Sequence, residues 1–279
     1  MNALVFPSRQ IGDFQVTALS DGTMSASLDL LSGIEKADAE SLQHNAGIAQ
    51  PGDIHINGYL VRGQGRTLLI DAGTGSDLTG GELKANLAAA GVSAEEVDTI
   101  LLTHCHPDHI GGLLDAEGEP VYKQAVLHLH SLEAEYWLDS EKEKGASERG
   151  KRNFALVRQT LKAYGDNVRF FNGNAIIPEI VPLWLPGHTP GHTGFRIDSG
   201  DRSLLIWGDI VHFPHIQSAC PTVGIAFDVD PVQASETRQK ILEQAAQEKL
   251  LIAGMHLAKA GFARVLRAEN GYRLAYSEE

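Results

Sequence analysis

Three histidines and an aspartate lie close together in one short segment of this chain. Residues 103–109 read Thr-His-Cys-His-Pro-Asp-His, which places metal-binding side chains at His104, His106, Asp108 and His109. Imidazole nitrogens and carboxylate oxygens are ligands of divalent ions such as Zn²⁺. In an extended segment His104 and His106 project to one side, and the proline that follows turns the chain toward a second point nearby. The spacing therefore predicts one loop that contributes to two metal sites.

Short apolar strands are predicted to deliver these and other polar side chains. Residues 99–102 form a buried strand that leads to His104. Similar apolar stretches, each with a nearby glycine, lead to three further candidates: His188, Asp209 and His256. Sites in α/β proteins commonly form where strands end. These strands are therefore expected to bring their terminal side chains to a common edge.

The remaining pattern predicts an α/β fold in which strands outnumber helices. Strands are expected at residues 14–19, 54–61, 67–70, 125–129, 168–170, 180–185, 196–197, 203–207 and 250–254, with a hairpin over 264–276. Helices are expected at residues 82–90, 132–164 and 230–249. The first strand is predicted to end at a turn at Asp21 and Gly22. We expect two mixed sheets packed face to face with helices outside, and one domain over residues 1–279.

Composition excludes several classes of function. The net charge of the 279 residues is −13, which disfavours a nucleic-acid partner because such binding depends on neutralising phosphates. Two cysteines are too few for a disulfide scaffold, and Cys105 is expected to be a small apolar filler. Neither a secretory signal nor a membrane-spanning run is evident. A cytoplasmic location without a membrane partner is the expectation.

Five histidines and two aspartates suit two metal ions that share one carboxylate. This set resembles the metallo-β-lactamase superfamily, whose hallmark is a His-x-His-x-Asp-His loop followed by a His, an Asp and a His. The resemblance implies a four-layer αβ/βα sandwich with metals at the sheet edges. It implies His104, His106 and His188 as ligands of the first ion, Asp108, His109 and His256 as ligands of the second, and Asp209 as the bridge.

The resemblance also implies supporting residues and a choice of metal. Asp71 matches the superfamily's aspartate after a hairpin and is expected to orient a ligand or the metal loop. His192 matches another recurrent position and is expected to form a supporting hydrogen bond. The donors suit Zn²⁺, and Mn²⁺, Fe²⁺ and Co²⁺ would accept them too.

Within the superfamily, the chain resembles the lactonase and methyl parathion hydrolase branch. The segments that carry this resemblance are residues 207–212, 227–230 and 271–273. The branch implies a dinuclear hydrolase in which a hydroxide shared by two ions attacks a lactone or ester, with organophosphate triesters as further substrates. The partner is then a small ester or lactone.

Three residues are predicted to take part in the reaction itself: Asp108, Asp209 and His212. His212 stands where quorum-lactone hydrolases have a tyrosine, three residues after the bridging aspartate. It could donate a hydrogen bond to the oxygen on which charge develops, and a purely structural role remains the alternative.

Other interpretations stay open at the level of sequence. One alternative is a mononuclear iron enzyme of the persulfide dioxygenase kind, and another is a non-catalytic metal-binding relative. An apolar substrate pocket is expected, with four candidate wall residues that could equally pack in the core: Trp137, Trp184, Phe213 and Phe227. Residues 28–50 are expected to form a lid or a contact between the subunits of a homodimer.

Overall fold

The computed structural model describes residues 5–75 and 81–276. Within these ranges the strands are β1 (Ser8–Ile11), β2 (Phe14–Ser25), β3 (Leu31–Ser32), β4 (Asp53–Gly63), β5 (Arg66–Ile70), β6 (Thr99–Leu101), β7 (Val126–His130), β8 (Val168–Phe171), β9 (Ile180–Trp184), β10 (Thr193–Ser199), β11 (Arg202–Ile206), β12 (Gly224–Ile225), β13 (Leu251–Ala253), β14 (Phe262–Ala268) and β15 (Gly271–Ala275). The α-helices are α1 (Lys36–Asn45), α2 (Leu83–Ala89), α3 (Pro107–Ile110), α4 (Ser131–Leu138), α5 (Ser140–Gly145), α6 (Glu148–Tyr164), α7 (Pro214–Ala219) and α8 (Pro231–Gln247).

Two mixed sheets form the centre of the molecule. The first has the strand order β1-β2-β4-β5-β6-β7-β8, with antiparallel pairing up to β5 and parallel pairing from β5 to β8. The second has the order β15-β14-β13-β11-β10-β9, in which only the β11–β13 pair is parallel. β3 and β12 form a separate small ribbon.

Apolar side chains fill three main layers of core. Between the sheets, Phe14 and Val16 of the first sheet pack in one cluster with Phe195 and Phe262 of the second. Side chains of α2, α4 and α6 cover the outer face of the first sheet. Helix α8 covers the outer face of the second sheet. Helices thus flank two packed sheets, as the sequence predicts.

Most predicted elements agree with the structure, including the hairpin of β14 and β15 and the helix that begins after Asp230. The carboxylate of Asp230 accepts the backbone N–H of Gln233, and proline occupies the first position of α8. Ser93 and Glu96 form a capping box on a short 3-10 turn. These are local hydrogen-bonding patterns, so the sequence carries them directly.

The predicted turn at Asp21 and Gly22 is wrong. β2 continues to Ser25, and its pairing with β4 shifts register between Ser20 and Gly22. The residues that predicted a turn form a β-bulge instead, with Gly22 at φ 111°, and the strand continues past it. Asp21 is thereby turned into the interior, where its carboxylate accepts hydrogen bonds from Thr74 and from the backbone N–H of Leu83.

The helical region predicted over residues 132–164 consists of three helices. Asp139 caps α5 by accepting the backbone N–H of Glu141, and Ser147 caps α6 by accepting that of Gly150. Each cap ends the preceding helix because its backbone is extended. Four consecutive charged residues, 141–144, lie on α5, which buries none of its residues.

Residues 28–50 contain a 3-10 turn, β3 and α1, and they pack on α7 and β12 in a fourth apolar cluster that includes Leu28, Ala39 and Phe213. Their role as a lid or a dimer contact remains a prediction. Residues 1–4, part of the segment considered for a secretory signal, lie outside the described ranges. Within those ranges, every helix is too short or too polar to cross a bilayer.

Candidate metal centre

The predicted metal-binding side chains meet at the carboxyl ends of the central strands. His104 is the third residue after β6, Asp209 the third after β11, and His256 the third after β13. Because β6 belongs to the first sheet and the other two strands to the second, the side chains converge from both sheets. The seven predicted ligands fall into two groups of neighbouring donor atoms, which together are called the cluster.

Three imidazoles form the first group of donors. His104 Nε2 lies 3.0 Å from His106 Nδ1 and 3.1 Å from His188 Nε2, and the last two atoms are 2.9 Å apart. A tetrahedral Zn²⁺ with bonds of about 2.0–2.1 Å separates its nitrogen ligands by about 3.3 Å. The triangle of nitrogens therefore has nearly the dimensions that such an ion requires.

Two carboxylates and two imidazoles form the second group. Asp108 Oδ2 lies 3.5 Å from His109 Nε2 and 3.5 Å from His256 Nε2. Asp209 Oδ2 is closer still to the two rings, at 3.2 Å from His109 and 3.0 Å from His256. Asp108 is the more accessible carboxylate, since its side chain is 18% exposed and that of Asp209 only 2%.

Asp209 joins the two groups. Besides its contacts in the second group, its Oδ2 atom lies 3.8 Å from His104 Nε2 and 3.5 Å from His188 Nε2 in the first. Its other oxygen, Oδ1, is buried without a hydrogen-bond partner among the described residues, and so is Nε2 of His109. Buried polar atoms are normally satisfied. Their lack of a partner, together with the donor types, fits the binding of divalent metal ions at this cluster.

Neighbouring groups fix which nitrogen of His188 and of His256 faces the cluster. Nδ1 of His188 contacts Asp228 Oδ1 at 2.8 Å, and Nδ1 of His256 lies 2.9 Å from the carbonyl oxygen of His55. A ring whose Nδ1–H donates to an oxygen keeps a lone pair on Nε2, which is the state that a metal ligand needs. The surroundings thus orient both rings toward the cluster.

Asp71 contacts residues 103–109, which we call the metal loop, as predicted for a supporting residue. Its carboxylate accepts the backbone N–H of Thr103 at 2.8 Å and the hydroxyl of Thr103 at 2.6 Å, and it lies 2.6 Å from His109 Nδ1. Both hydrogen bonds of His192 are to backbone groups: Nδ1 donates to the carbonyl of Leu185, and Nε2 accepts the N–H of Asp209. Both of its nitrogens are occupied, so His192 supports the loop that carries Asp209.

The two groups differ in their affinity for protons. Burial lowers the pKa of His104 and His106 well below the usual histidine value, so these rings are neutral at pH 7. Burial also opposes protonation of His109, but the carboxylates of Asp209 and Asp108 outweigh it and raise the pKa of His109 well above the usual value. His104 and His106 therefore offer free lone pairs, and the second group offers a strongly negative environment.

Both carboxylates of the second group are ionised. Burial opposes ionisation of Asp209 and Asp108, but the adjacent histidines outweigh it and hold the pKa of each carboxyl below its usual value. Two adjacent negative charges, of which that of Asp209 is buried, need compensating positive charge. Divalent cations would supply it.

His212 lies beside the cluster, and its donor atom forms a third group with those of His188 and Asp209. Its Nε2 atom is 3.2 Å from Asp209 Oδ2, and its Nδ1 is buried without a hydrogen-bond partner in the described part of the chain. Its ring stacks near that of His256, with centroids 5.0 Å apart. Burial lowers the pKa of His212 to about 4, so the ring is neutral and has one N–H to donate.

The four candidate wall residues have different surroundings. Phe213 and Trp137 are buried in apolar clusters, which agrees with the core-packing alternative. Trp184 is half exposed, and its indole N–H donates to the carbonyl of Pro190. Phe227 is half buried beside His212, with ring centroids 5.6 Å apart, and so remains a candidate wall.

Sequence reasoning missed several residues that hold the cluster. Asn57 and Tyr59 of β4 hydrogen-bond the loop after β13, through the carbonyls of Leu257 and Gly254 respectively. Together with His55, they alternate along β4 and share one face of the strand. That alternation of polar side chains was the signal available in the sequence.

Two buried charged residues, Glu133 and Arg238, were missed as well. Arg238 donates to the carbonyl of Ile210, and its guanidinium lies 3.6 Å from the Asp228 carboxylate that contacts His188. Both residues lie on helices and reach the site only through tertiary packing, so no sequence pattern marks them.

The fold and the donor set define a class of metal-dependent hydrolases. Residues 51–256 match the metallo-β-lactamase superfamily, and the chain belongs to that family. The resemblance inferred from the metal motif is thereby confirmed.

Individual relatives support a hydrolase. The crystal structure of hydrolase AbOPH of the β-lactamase superfamily aligns with a TM-score of 0.93 at 29% identity, covering 100% of this chain and 99% of that one. AidC, a dizinc quorum-quenching lactonase solved with N-hexanoyl-L-homoserine, aligns with a TM-score of 0.92 at 27% identity over 100% and 99% of the two chains. The acyl-coenzyme A thioesterase MBLAC2 of Gallus gallus is 27% identical over 233 residues, which cover 78% of this chain and 76% of the relative.

Proposed function

We propose that this protein is a dinuclear metal-dependent hydrolase that cleaves a lactone or another carboxylic ester. One observation carries the proposal: Asp209 lies within 3.0–3.8 Å of histidine nitrogens in both donor groups. A single carboxylate between two donor groups is the arrangement that two nearby ions require. A mononuclear enzyme would need only one of the groups.

In this proposal His104, His106 and His188 hold one ion, and Asp108, His109 and His256 hold the other, with Asp209 shared. Zn²⁺ suits the nitrogen-rich first group, and Mn²⁺, Fe²⁺ or Co²⁺ would accept the same donors. When bound, such ions activate water as a nucleophile near neutral pH and polarise the oxygen of the substrate. The protein's own contribution is to hold the donor atoms in place.

The carboxylates and His212 have distinct proposed roles. Asp209 is buried and ionised, so it fixes the distance between the two groups and orients the nucleophilic water. Asp108 is partly exposed, and we assign it to the side of the second group that substrate approaches. His212 is neutral, and we assign to it the hydrogen bond to the oxygen on which negative charge develops.

The substrate class follows from the relatives and from the chemistry of the cluster. Lactone hydrolysis is supported by the similarity to AidC, and the similarity to MBLAC2 makes acyl thioesters a second group of substrates to test. Phosphotriesters undergo the same kind of attack by an activated water and belong in the same panel. Phe227, beside His212, is the proposed apolar wall for the acyl part.

Metal quantification followed by a substrate panel tests this proposal. We expect about two divalent ions per chain, with turnover of lactones and aryl esters that is lost on chelation and restored by Zn²⁺. A single iron together with thiol-dependent oxygen uptake would instead support the persulfide dioxygenase alternative. Bound metal without turnover of any lactone, ester, thioester or phosphotriester would support a non-catalytic relative.

Replacement of His212 by alanine tests its role. In H212A we expect kcat on a good lactone to fall about 100-fold, the usual loss for one hydrogen-bond donor to a developing oxyanion, with little change in KM. The control is H215A, because His215 lies three residues along the chain and contacts Tyr276 instead of the cluster. An unchanged kcat in H212A removes His212 from the mechanism.

A further inference from the structure

Glu133 is a fully buried carboxylate behind the metal centre. It lies in the first turn of α4, a helix in the layer outside the first sheet. Removing a carboxylate from water is costly unless hydrogen bonds replace its hydration. Here three N–H groups do so, and two of them are backbone N–H groups of other segments.

The two carboxylate oxygens of Glu133 bind two different loops. Oε2 accepts the backbone N–H of Cys105 at 3.0 Å, and Oε1 accepts the backbone N–H of Gly191 at 2.9 Å. We call residues 102–109 the first loop and residues 185–192 the second loop. The third donor, the indole N–H of Trp137 at 2.9 Å, comes from α4 itself. The carboxylate is therefore a direct bridge between the loops.

The bridge acts on the backbone beside the first donor group. Cys105 lies between His104 and His106 in the first loop, and Gly191 lies in the second loop with His188. The nitrogen triangle of the first group, 2.9–3.1 Å on each side, is made of two rings from the first loop and one from the second. Its size therefore depends on the distance between the loops.

The second loop is packed directly against α4. A Cβ atom on Gly191 would lie 2.7 Å from the backbone nitrogen of Glu133 and 2.9 Å from its Cγ. Only glycine allows the loop to approach so closely. Close approach and a short hydrogen bond at the same residue fix the second loop on the helix.

The chemistry of the contacts requires a carboxylate. A carboxylate has two acceptor oxygens and no donor, whereas the glutamine amide has one acceptor oxygen and an NH₂ group. In E133Q one loop must therefore lose its acceptor and face an N–H group instead. Burial of an unsatisfied donor is unfavourable, and the loop can relieve the cost by moving away.

We propose that Glu133 is a positioning residue that sets the spacing of the three-histidine site by holding the first and second loops on α4. The inference rests on the proposed metal centre and extends it to a residue that does not touch the ions. Supporting residues around a metal typically alter affinity 10- to 100-fold when exchanged. The effect should fall on the first group, because the second group is held by Asp71 and by β4.

Metal affinity, measured without any assay of turnover, tests this inference. The metal-free protein and its E133Q variant are titrated with Zn²⁺ against a competing chelator, and the visible absorption of Co²⁺-loaded samples reports ligand geometry. We expect E133Q to bind one ion about 10- to 100-fold more weakly, to bind the other within about twofold of the native protein, and to change the Co²⁺ spectrum.

The matched control is D98N, another exchange of a carboxylate for an amide. Asp98 also joins two segments, since it accepts the backbone N–H of Thr67 and pairs with Arg66, but it makes these contacts at the start of β5 and β6, the ends remote from the cluster. We expect D98N to lose stability without change in either Zn²⁺ affinity.

The outcomes separate this inference from the proposed function. If the native protein does not bind two ions, the dinuclear proposal fails. If it does, and E133Q binds both with native affinity while only its unfolding temperature falls, Glu133 is merely structural and the inference is wrong. If E133Q does not fold, E133D decides, because aspartate keeps both oxygens but is too short to reach both loops. Native Zn²⁺ affinities in folded E133D would equally overturn the inference.

Discussion

Two parallel strand pairs lie at the centres of the two sheets and present different carboxylates to the site. The central pair of the first sheet is β5 and β6, the first two of its four parallel strands, and β11 and β13 form the parallel pair of the second sheet. The second strand of each pair delivers a histidine three residues after its end, His104 in one case and His256 in the other. The first strand of each pair leads into a left-handed backbone position, at Asp71 with φ 58° and at Gly208 with φ 62°.

The carboxylates that follow these first strands have different neighbours. Asp71 is the residue directly after β5, and its oxygens contact Thr103 and His109 from behind the metal loop. Asp209 is the third residue after β11, and it lies among the donor atoms of both groups. A difference of two residues in the distance from the strand end thus separates a carboxylate that orients a ring from one that enters the cluster.

Similar strand pairs in the two sheets therefore present carboxylates that have different roles at the site. In the first sheet, one loop after β6 carries four of the candidate ligands, so its carboxylate neighbour is needed to orient them. In the second sheet, each strand end supplies one candidate, so Asp209 is free to join the two groups. The following predictions test that division.

Exchange of Asp209 should have the largest effect. In D209A both donor groups lose their common carboxylate, so we expect both ions to bind more weakly and kcat/KM to fall about 1,000-fold or more, because several kcal/mol of stabilisation by the ions is lost. Metal quantification and lactone kinetics measure the two effects. Retention of two tightly bound ions in D209A would contradict a shared role.

The equivalent histidines should each control one ion. We expect H104A to keep the ion of the second group and H256A to keep that of the first, with one Zn²⁺ per chain in each variant. Turnover should fall about 100-fold or more in both, since one of two ions is missing. Loss of both ions from H104A, measured by equilibrium dialysis, would show that the groups do not bind independently.

Exchange of Asp71 should have a smaller effect, because it acts through His109. We expect D71N to weaken the ion of the second group about 10- to 100-fold, as is usual when the partner of a ligand histidine is altered. The Zn²⁺ titration against a chelator measures this, with D98N again as the control. Weaker binding of the ion in the first group instead would contradict the assignment of Asp71 to the second group.

Alanine at Gly208 should affect mainly stability. Alanine in a left-handed backbone costs about 1–2 kcal/mol, and at Gly208 its Cβ would also lie 2.4 Å from His192 Nε2. Gly200 has the same φ of 62° with open space around it, so G200A measures the backbone cost alone. We expect urea unfolding to show a loss of about 1 kcal/mol in G200A and about 3 kcal/mol in G208A. Equal losses would mean that the contact with His192 adjusts freely.

Sequence patterns predicted most of the strands and the superfamily. The strand before His104 and the hairpins were predictable because alternation, apolar runs and turn residues are local properties. The turn predicted at Asp21 is absent for a tertiary reason. β2 continues to pair with β4 on both sides of the bulge, and the buried Asp21 carboxylate hydrogen-bonds Thr74. The predicted strand end was therefore a local signal that long-range pairing overrode.

The same limit applies to the site. Its seven candidate side chains could be named because each is of a metal-binding type and either follows an apolar strand or lies in the motif of residues 103–109. Glu133 and Arg238 could not, because a glutamate or an arginine in a helix is ordinarily a solvated residue. Only packing of their helices against the loops buries them and gives them partners.

The sequence by itself determined the types of donor, their order along the chain and the family to which the chain belongs. Those features depend on residue identity and local spacing. The tertiary structure decided which candidate donors lie together, because His104 and His188 approach each other only when the two sheets pack together. It also decided that Asp209 lies between the groups while Asp71 stays behind one of them, since that depends on where each backbone turns after its strand.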